Sequence, residues 1–199
     1  MFDKDLLRHA AEFRRYLRNH QYEQAEDGSI VFPRAAAQAQ GCYFADVNGE
    51  NAFESPNLLP DQGLTYLLDV GLNNGTKLPT WYLSLYGANY TPLAGLTAAS
   101  YPATASEITS SAEGYTESTR VVWTPTAPTT PLIDNVANKG AFTIATASSL
   151  TIYGAALLSE SAKGAVTGKI ISATKFPAAR TVYATDVFNL GYRCQLTST

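Results

Sequence analysis

The sequence has few of the side chains that usually carry out chemistry near neutral pH. Its 199 residues include two histidines, two cysteines and one methionine, and only 16% of them are charged. So few histidines and cysteines leave little with which to bind a metal or move a proton. The low charge excludes a disordered acidic or basic protein, and a hydrophobic fraction of 45% predicts a folded chain. We therefore expect one substantial domain, no cofactor and no enzymatic activity.

The cysteines do not form a recognisable pattern. Cys42 and Cys194 lie 152 residues apart, and the chain contains no C-x-x-C spacing. Neither a zinc site nor a dense disulfide framework is indicated. We expect two buried thiols, with a disulfide between them as the alternative.

Long apolar runs and an excess of basic charge are also missing. Charged residues interrupt the first twenty positions, which excludes a signal peptide, and no later run approaches the roughly 20 residues of a membrane span. The net charge of -3 gives no overall basic field for nucleic acid. We expect a protein that contacts neither membrane nor nucleic acid and is kept in the cytosol or assembled there into something larger.

The distribution of charge divides the chain into three regions. Residues 1–34 hold 12 of the 31 charged side chains, and residues 35–75 hold five acids and no base. Residues 76–199 contain 14 charges but 33 threonines and serines, a composition typical of strands. We predict a helical arm over 1–28, an acidic β-hairpin or extension over 29–75, and a β-sandwich domain over 76–199.

The arm is predicted to be an amphipathic helix from about Asp3 to Asn19. One stripe of the helix carries apolar side chains spaced four, three and four residues apart, namely Leu6, Ala10, Phe13 and Leu17. Three arginines lie near its end, namely Arg14, Arg15 and Arg18. They either complement the helix dipole or contact an acidic partner. The stripe and the arginines are our first candidates for a partner contact.

The rest of the chain alternates short apolar runs with turn residues. Nine runs are candidate strands: Ile30–Phe32, Cys42–Val47, Leu64–Val70, Leu78–Tyr86, Arg120–Thr124, Ala141–Ala145, Leu150–Leu158, Gly168–Thr174 and Asp186–Leu196. This number of strands predicts a mainly β fold, an antiparallel β-sandwich of jelly-roll or immunoglobulin-like type with an N-terminal α-helical arm. The proline-rich residues 124–131 are predicted to be a surface loop.

Local patterns predict turns and core faces within this fold. Asn48-Gly49 and Asn74-Gly75 each favour a type I′ hairpin turn, the second joining residues 64–72 to residues 77–86. Small or apolar residues alternate along Leu150–Leu158, which predicts one buried face at its even-numbered positions. In the last strand, the predicted core face consists of Phe188, Leu190, Tyr192 and Cys194.

The sequence contains no complete catalytic or metal-binding motif. His9 and His20 are about 16 Å apart along a straight helix and cannot share a metal, and no G-x-S-x-G elbow accompanies them. Asp46, Asn48 and Glu50 begin like a calcium loop, but its later positions lack the required glycine and glutamate. The acids there form either a loose oxygen-rich site, a glycosidase pair or an ordinary hairpin turn. No phosphate-binding loop occurs.

The chain contains twelve tyrosines, which are enriched at protein interfaces when exposed. Tyr86 and Tyr90 are our candidates for a surface that binds sugar or protein. The alternative is packing in the core or at its rim.

Several segments together resemble a family of virion structural proteins of tailed bacteriophages and their prophage relatives. They are a Trp-Tyr strand, a Y-x-E-x-T-R-x-x-W segment, a G-x-x-L-x-S strand and a late D-V-F-N-L-G-Y strand. In this chain the first three correspond to Trp81 and Tyr82; Tyr115, Glu117, Thr119, Arg120 and Trp123; and Gly154, Leu157 and Ser159. The resemblance covers about three-fifths of the chain and excludes the arm and the acidic region.

The resemblance implies a building block of a virion, and we expect a capsid cement or decoration protein. Its expected partners are the major capsid protein and copies of itself, as a trimer or dimer, at the capsid surface and in the host cytoplasm during assembly. The alternative is a tail, neck or fibre component that recognises a host glycan through exposed tyrosines. We expect Arg120 and Glu117 to form a structural ion pair.

Overall fold

The computed structural model describes residues 23–24, 30–31 and 37–198, with side chains from residue 38 onward. The predicted helical arm lies outside the described residues, as do its apolar stripe and its arginines. The described chain is mainly β and contains two large antiparallel sheets. Within the described ranges, no helix has both the length and the apolar character needed to cross a membrane.

The chain divides into two compact units, residues 1–38 with 197–199 and residues 39–196. In the first unit, β1 (Glu23–Gln24) pairs antiparallel with β2 (Ile30–Val31). The boundary that we predicted between residues 75 and 76 lies inside the second unit. It does not separate domains there, because strands from both sides of it share a sheet.

The first large sheet has the strand order β11-β10-β5-β7. Its strands are β5 (Trp81–Tyr86), β7 (Val121–Trp123), β10 (Leu150–Leu158) and β11 (Ile170–Val182). The second has the order β4-β3-β12-β9-β6, with β8 also paired to β12. Its strands are β3 (Ala37–Val47), β4 (Glu50–Pro56), β6 (Gly114–Tyr115), β8 (Leu132–Asp134), β9 (Gly140–Ala145) and β12 (Val187–Ser198).

Two sequence predictions about turns and loops are confirmed. Asn48 and Gly49 join β3 to β4 with φ angles of 53° and 81°, as a type I′ hairpin requires. Residues 124–131 are almost entirely exposed and precede β8. A 3-10 turn over Val136–Asn138 then leads into β9.

The prediction of a strand over Leu64–Val70 is wrong, because these residues belong to helix α1 (Asp61–Leu72). Pro60 lies immediately before the helix, and Asp61 places a negative charge in its first turn, which favours a helix start. Asn74 does adopt a positive φ, but the N–H of Gly75 bonds to the carbonyl of Asp69. The left-handed residue therefore ends a helix instead of turning a hairpin.

The main hydrophobic core draws side chains from both large sheets. β12 contributes Phe188, Leu190 and Tyr192, all nearly inaccessible to solvent, which confirms the core face that we predicted for this strand. Cys194 packs against the same cluster but is only partly buried. Leu83 and Leu85 of β5 enter this core from the other sheet.

The prediction of one buried face along β10 is wrong, since the strand is buried on both faces. A register shift lies between Ile152 and Gly154, so that Ile152 shares the main core with Ala155 and Leu157. The opposite face, at Ala156 and Leu158, belongs to a second apolar cluster. Residues 87–106, which include the short helix α2 (Tyr101–Ala105), supply much of that cluster.

Helix α1 packs its backbone directly against β11. A Cβ atom added at Gly63 would lie 2.7 Å from the carbonyl oxygen of Ile171 and 2.9 Å from the Cα of the same residue. Backbone atoms cannot move aside as a flexible side chain can. Gly63 is therefore required for this close approach.

We expect Gly63→Ala to destabilise the protein by about 1 to 3 kcal/mol, because the added methyl group overpacks the contact between helix and strand. Gly71→Ala, on the same helix, is the matched control, since a Cβ there has no neighbour within 4 Å. Alanine should stabilise that position by up to about 1 kcal/mol. Urea unfolding of both variants measures the difference, and equal effects would contradict the packing described.

Candidate functional site

A fully buried ion pair lies between Glu107 and Arg120. The Nε of Arg120 donates to Glu107 Oε1 and its Nη2 donates to Oε2, both at 2.7 Å. Neither side chain is exposed to solvent. The prediction that Arg120 pairs with Glu117 is wrong, because the Glu117 carboxylate instead accepts the N–H of Thr143. The correct partner lies outside the motif that suggested the pair.

The remaining polar atoms of the pair are also bonded. Glu107 accepts hydrogen bonds from Ser84 Oγ at 2.8 Å and from the N–H of Gly164 at 3.0 Å. Arg120 donates to the carbonyls of Glu160 and Ala165, at 3.0 and 3.3 Å. These bonds fasten residues 160–165 to the sheet and leave the pair no free atom for a substrate. The arrangement is structural.

Two tyrosines border this ion pair. Tyr101 donates its hydroxyl to Ser84 Oγ at 3.0 Å, and burial together with the nearby Glu107 carboxylate raises its pKa well above the ordinary value. Lys163 lies 3.6 Å from the ring centre of Tyr115 and donates to that residue's carbonyl at 2.8 Å. Burial likewise raises the pKa of Tyr115. Both tyrosines are therefore protonated near neutral pH and contribute to packing.

Asp46, the first candidate acid, is used internally. Its carboxylate accepts hydrogen bonds from Lys139 Nζ at 2.7 Å, Asn189 Nδ2 at 2.6 Å and the N–H of Gly49 at 2.9 Å. Burial alone would raise the pKa of Asp46, but these bonds and the Lys139 charge outweigh it and lower the pKa.

The neighbouring turn is held in the same way. Asn48 donates to Asp186 Oδ1 and accepts the N–H of Val187, both at 2.8 Å. The arrangement favours the hairpin-turn interpretation of these side chains over a calcium loop. Among the residues with described side chains, no group of three or more His, Cys, Asp and Glu is placed to hold a metal ion. His9 and His20 fall outside that range.

The candidate tyrosines do not form an exposed surface. Tyr86 is completely buried, and its hydroxyl donates to the carbonyls of Thr174 at 2.8 Å and Tyr90 at 3.0 Å. The ring of Tyr90 packs edge-on against that of Tyr86 and is partly buried. The prediction of Tyr86 as a surface contact is therefore wrong, because it spans the second apolar cluster.

The cysteines are both free thiols and both are only partly buried. Burial raises the pKa of Cys42 and of Cys194, so neither is an activated nucleophile. The alternative prediction, a disulfide between Cys42 and Cys194, is wrong.

The most prominent exposed feature is an apolar face of helix α1, which we name the leucine face. It consists of Leu64, Leu67, Leu68 and Leu72, exposed by 39, 37, 61 and 84%. At about 100° per residue these side chains span about 140° of the helix circumference. The spacing of these leucines is visible in the sequence. Because we predicted a strand for residues 64–70, that spacing did not indicate which leucines face outward.

The opposite face of α1 is firmly attached to the sheet. The Oε1 atom of Gln62 accepts the N–H groups of Ala98 and Ile170, at 3.0 and 2.9 Å. The hydroxyl of Tyr66 accepts the N–H of Leu78 at 2.8 Å, and its ring packs edge-on against Trp81. The helix therefore cannot rotate to bury its leucines without breaking these contacts.

A shallow depression of about 580 Å³ lies elsewhere, lined mainly by threonine and alanine. The one carboxylate in its lining, Glu113, already accepts hydrogen bonds from Thr146 Oγ1 and the N–H of Ala147. It offers no charged group that is free to bind a ligand.

Most residues of the resemblance lie on or next to three neighbouring strands of the first sheet, β5, β7 and β10, whereas Tyr115 lies on β6 of the second sheet. Trp81 of β5 pairs directly with Trp123 of β7, whose indole Nε1 donates to Asn135 Oδ1 at 2.9 Å. On the other side of β5, Leu83 pairs with Leu157 of β10. The pattern thus combines buried positions, such as Trp123 and Leu157, with half-buried and exposed ones, such as Trp81 and Thr119. Comparison with protein-family models gives no match, and comparison with curated proteins gives none either.

We expect Arg120→Gln to destabilise the protein by about 3 to 5 kcal/mol, because it leaves the Glu107 carboxylate buried without a cation. Arg193→Gln is the control, since Arg193 is about a third exposed in its ion pair with Asp134 and such pairs contribute about 0 to 1 kcal/mol. Urea unfolding at neutral pH compares the two. A similar loss in both variants would contradict the role given to the buried pair.

The lowered pKa of Asp46 predicts acid sensitivity. Below the ordinary value of 3.8 the unfolded chain binds this proton more readily than the folded chain does. The stability from Asp46 is therefore present above about pH 5 and lost as the pH falls through the folded pKa. Asp46→Asn should be less stable than the wild type at pH 7, with the gap closing in acid.

Unfolding free energies measured between pH 7 and pH 2.5 test this prediction. Glu50→Gln, at an exposed carboxylate of β4, controls for the change in net charge. A gap between wild type and Asp46→Asn that did not vary with pH would overturn the assignment.

Proposed function

We propose that the protein is a structural component of a tailed-bacteriophage particle, a cement or decoration protein that binds the outside of the capsid. It acts by occupying surface between neighbouring subunits and transforms no substrate. Its partners are the major capsid protein and copies of itself, as a dimer or trimer. It is present in the host cytoplasm during assembly and on the capsid surface afterwards.

The leucine face is the observation that carries this proposal. Soluble monomers rarely expose contiguous apolar patches larger than a few hundred Å² without using them. Four of the nine large apolar side chains that are exposed in the described part of the chain lie on this one helix face. Their burial against a neighbour is a source of binding free energy that the isolated chain does not use.

The polar interior supports a role in contact and not in catalysis. Glu107, Arg120 and Asp46 are the described ionisable groups with the most hydrogen-bonded surroundings, and each has internal partners for its charge. A catalytic acid or base needs a proton-transfer atom that can reach a substrate. These groups are committed to holding the fold.

We infer that the two large sheets pack face to face as a β-sandwich. The main core contains Leu83, Leu85 and Leu157 from one sheet and Phe142, Phe188 and Leu190 from the other. Side chains from two facing sheets in one cluster are typical of sandwich packing. Such a rigid platform suits a protein that presents fixed surfaces to its neighbours.

The mechanism is thermodynamic linkage. A protein that binds only the assembled shell stabilises that shell by RT ln(1 + [L]/Kd) at each site, about 2.7 kcal/mol when its free concentration is 100 times Kd. Modest contacts repeated over many sites thus resist the pressure of packaged DNA. No chemical step is required.

We expect the purified full-length chain to bind phage heads that lack it and to raise the temperature at which they release DNA. The number of bound copies should scale with the number of shell subunits, as measured by mass spectrometry of repurified heads and by cryo-electron microscopy. Copies confined to one ring at the neck or tail would favour the tail or neck alternative. Absence from every particle fraction would overturn the proposal.

A further inference from the structure

We propose that the leucine face of α1 is the docking site for the N-terminal segment of a neighbouring copy of the same chain. The occupant is the predicted amphipathic helix of residues 3–19, with its apolar stripe against the leucines. The inference rests on the proposed function in one respect, which is that copies of the chain are neighbours. It adds which surface joins them and what lies on it.

Apolar complementarity is the first argument. Along α1 the leucines recur at spacings of three, four and eight residues from Leu64. The stripe of residues 3–19 recurs at spacings of four, three and four. Two helices with such stripes pack by setting the ridges of one into the grooves of the other. A 12-residue helix is about 18 Å long, and residues 3–19 as a helix would span about 25 Å, so the stripe covers the whole face.

Charge selects this occupant over a second α1. The helix carries Asp61 and Asp69 and has no basic residue in its last turn, and residues 35–75 contain no base at all. Two such helices packed together would bring like charges close to each other. A partner with arginines beside an apolar stripe would instead complement the acids and the negative end of the helix dipole.

The chain itself contains a segment of that composition. Residues 1–22 hold five basic and three acidic side chains, a net positive charge, and three of the basic ones lie at the C-terminal end of the stripe, namely Arg14, Arg15 and Arg18. Residues 1–22 precede the described part of the chain. The segment therefore has an apolar stripe that matches the leucine face and a positive charge that complements the acids of α1.

The attachment of α1 makes the face suitable for docking. Gly63, Gln62 and Tyr66 hold the helix against β11 and its surroundings through backbone contact, two hydrogen bonds and ring packing. A partner thus meets a preformed surface and loses little free energy in ordering it.

Self-association of the full-length protein tests the inference. We expect Leu68→Lys and Phe13→Lys each to weaken self-association about tenfold or more, measured by sedimentation equilibrium, because each places a charge inside the apolar contact. Leu196→Lys is the matched control, since Leu196 is 56% exposed and does not belong to α1. It should associate like the wild type. Circular dichroism and urea unfolding show whether each variant is folded.

Mixing the two weakened variants is the decisive measurement. One copy retains an intact segment and the other retains an intact leucine face, so the mixture should recover a one-to-one complex. Packing of α1 against α1 predicts no recovery, as does a leucine face that binds only the shell protein. Either of these outcomes, or a wild type that is monomeric at all concentrations, would overturn the inference.

The proposed function is tested separately by binding to heads. If the Leu68→Lys variant no longer self-associates but still binds heads at isolated sites, the proposed function stands. If mixing the two variants recovers the one-to-one complex but the protein binds no particle, the proposed function is refuted and the inference stands. The two failures are therefore distinguishable.

Discussion

The buried pair of Glu107 and Arg120 is the constraint on which the arrangement of the larger unit depends. Moving two charges out of water costs several kcal/mol each, so the pair is stable only when every remaining donor and acceptor has a partner. Those partners come from β5 at Ser84 and from residues 160–165, and Tyr101 of α2 completes the chain of hydrogen bonds. One interaction therefore fixes the sheet, its outer layer and a long loop together.

This constraint explains why apolar side chains are distributed as they are. With residues 87–106 fixed over the sheet, β10 is covered on both faces and the second apolar cluster becomes a true interior. Helix α1 then packs beside this layer, where Gln62 bonds to Ala98 and to Ile170 of β11. Its inward face is occupied by Gly63 and Tyr66, so the leucines have only the outside. The buried charges of Glu107, Arg120 and Asp46 have internal partners, whereas the leucines of α1 remain exposed to solvent.

Structural features that depend on neighbours in the chain could be predicted from the sequence. Features that depend on residues far apart in the chain could not. The alternation along β12 and the turn at Asn48-Gly49 depend on neighbours in the chain, and both were predictable. Residues 64–70 contain apolar spacings compatible with a strand or a helix. Asp61 is a local signal for a helix start, but the contact of Gly63 with β11, which only the helix makes, depends on residues more than a hundred positions away. Glu107 lies 13 residues from Arg120, beyond any motif, and the register shift in β10 depends on its pairing with β11. The burial of Tyr86 likewise requires the layer above it.

A contact between a segment of one copy and a face of the next is heterologous, and this has a consequence for assembly. Such a contact does not close by itself: it yields a ring when the rotation between copies fits and an open chain when it does not. On the shell of the proposed function, the lattice would impose that rotation, and the second contact would form at a high effective concentration. Under the proposed function, a weak interaction in solution would then become a stable ring on the particle. In the proposed assembly the leucine face, with Asp61 and Asp69 beside it, would thus join copies weakly in free solution and bind more strongly where neighbours are already in place.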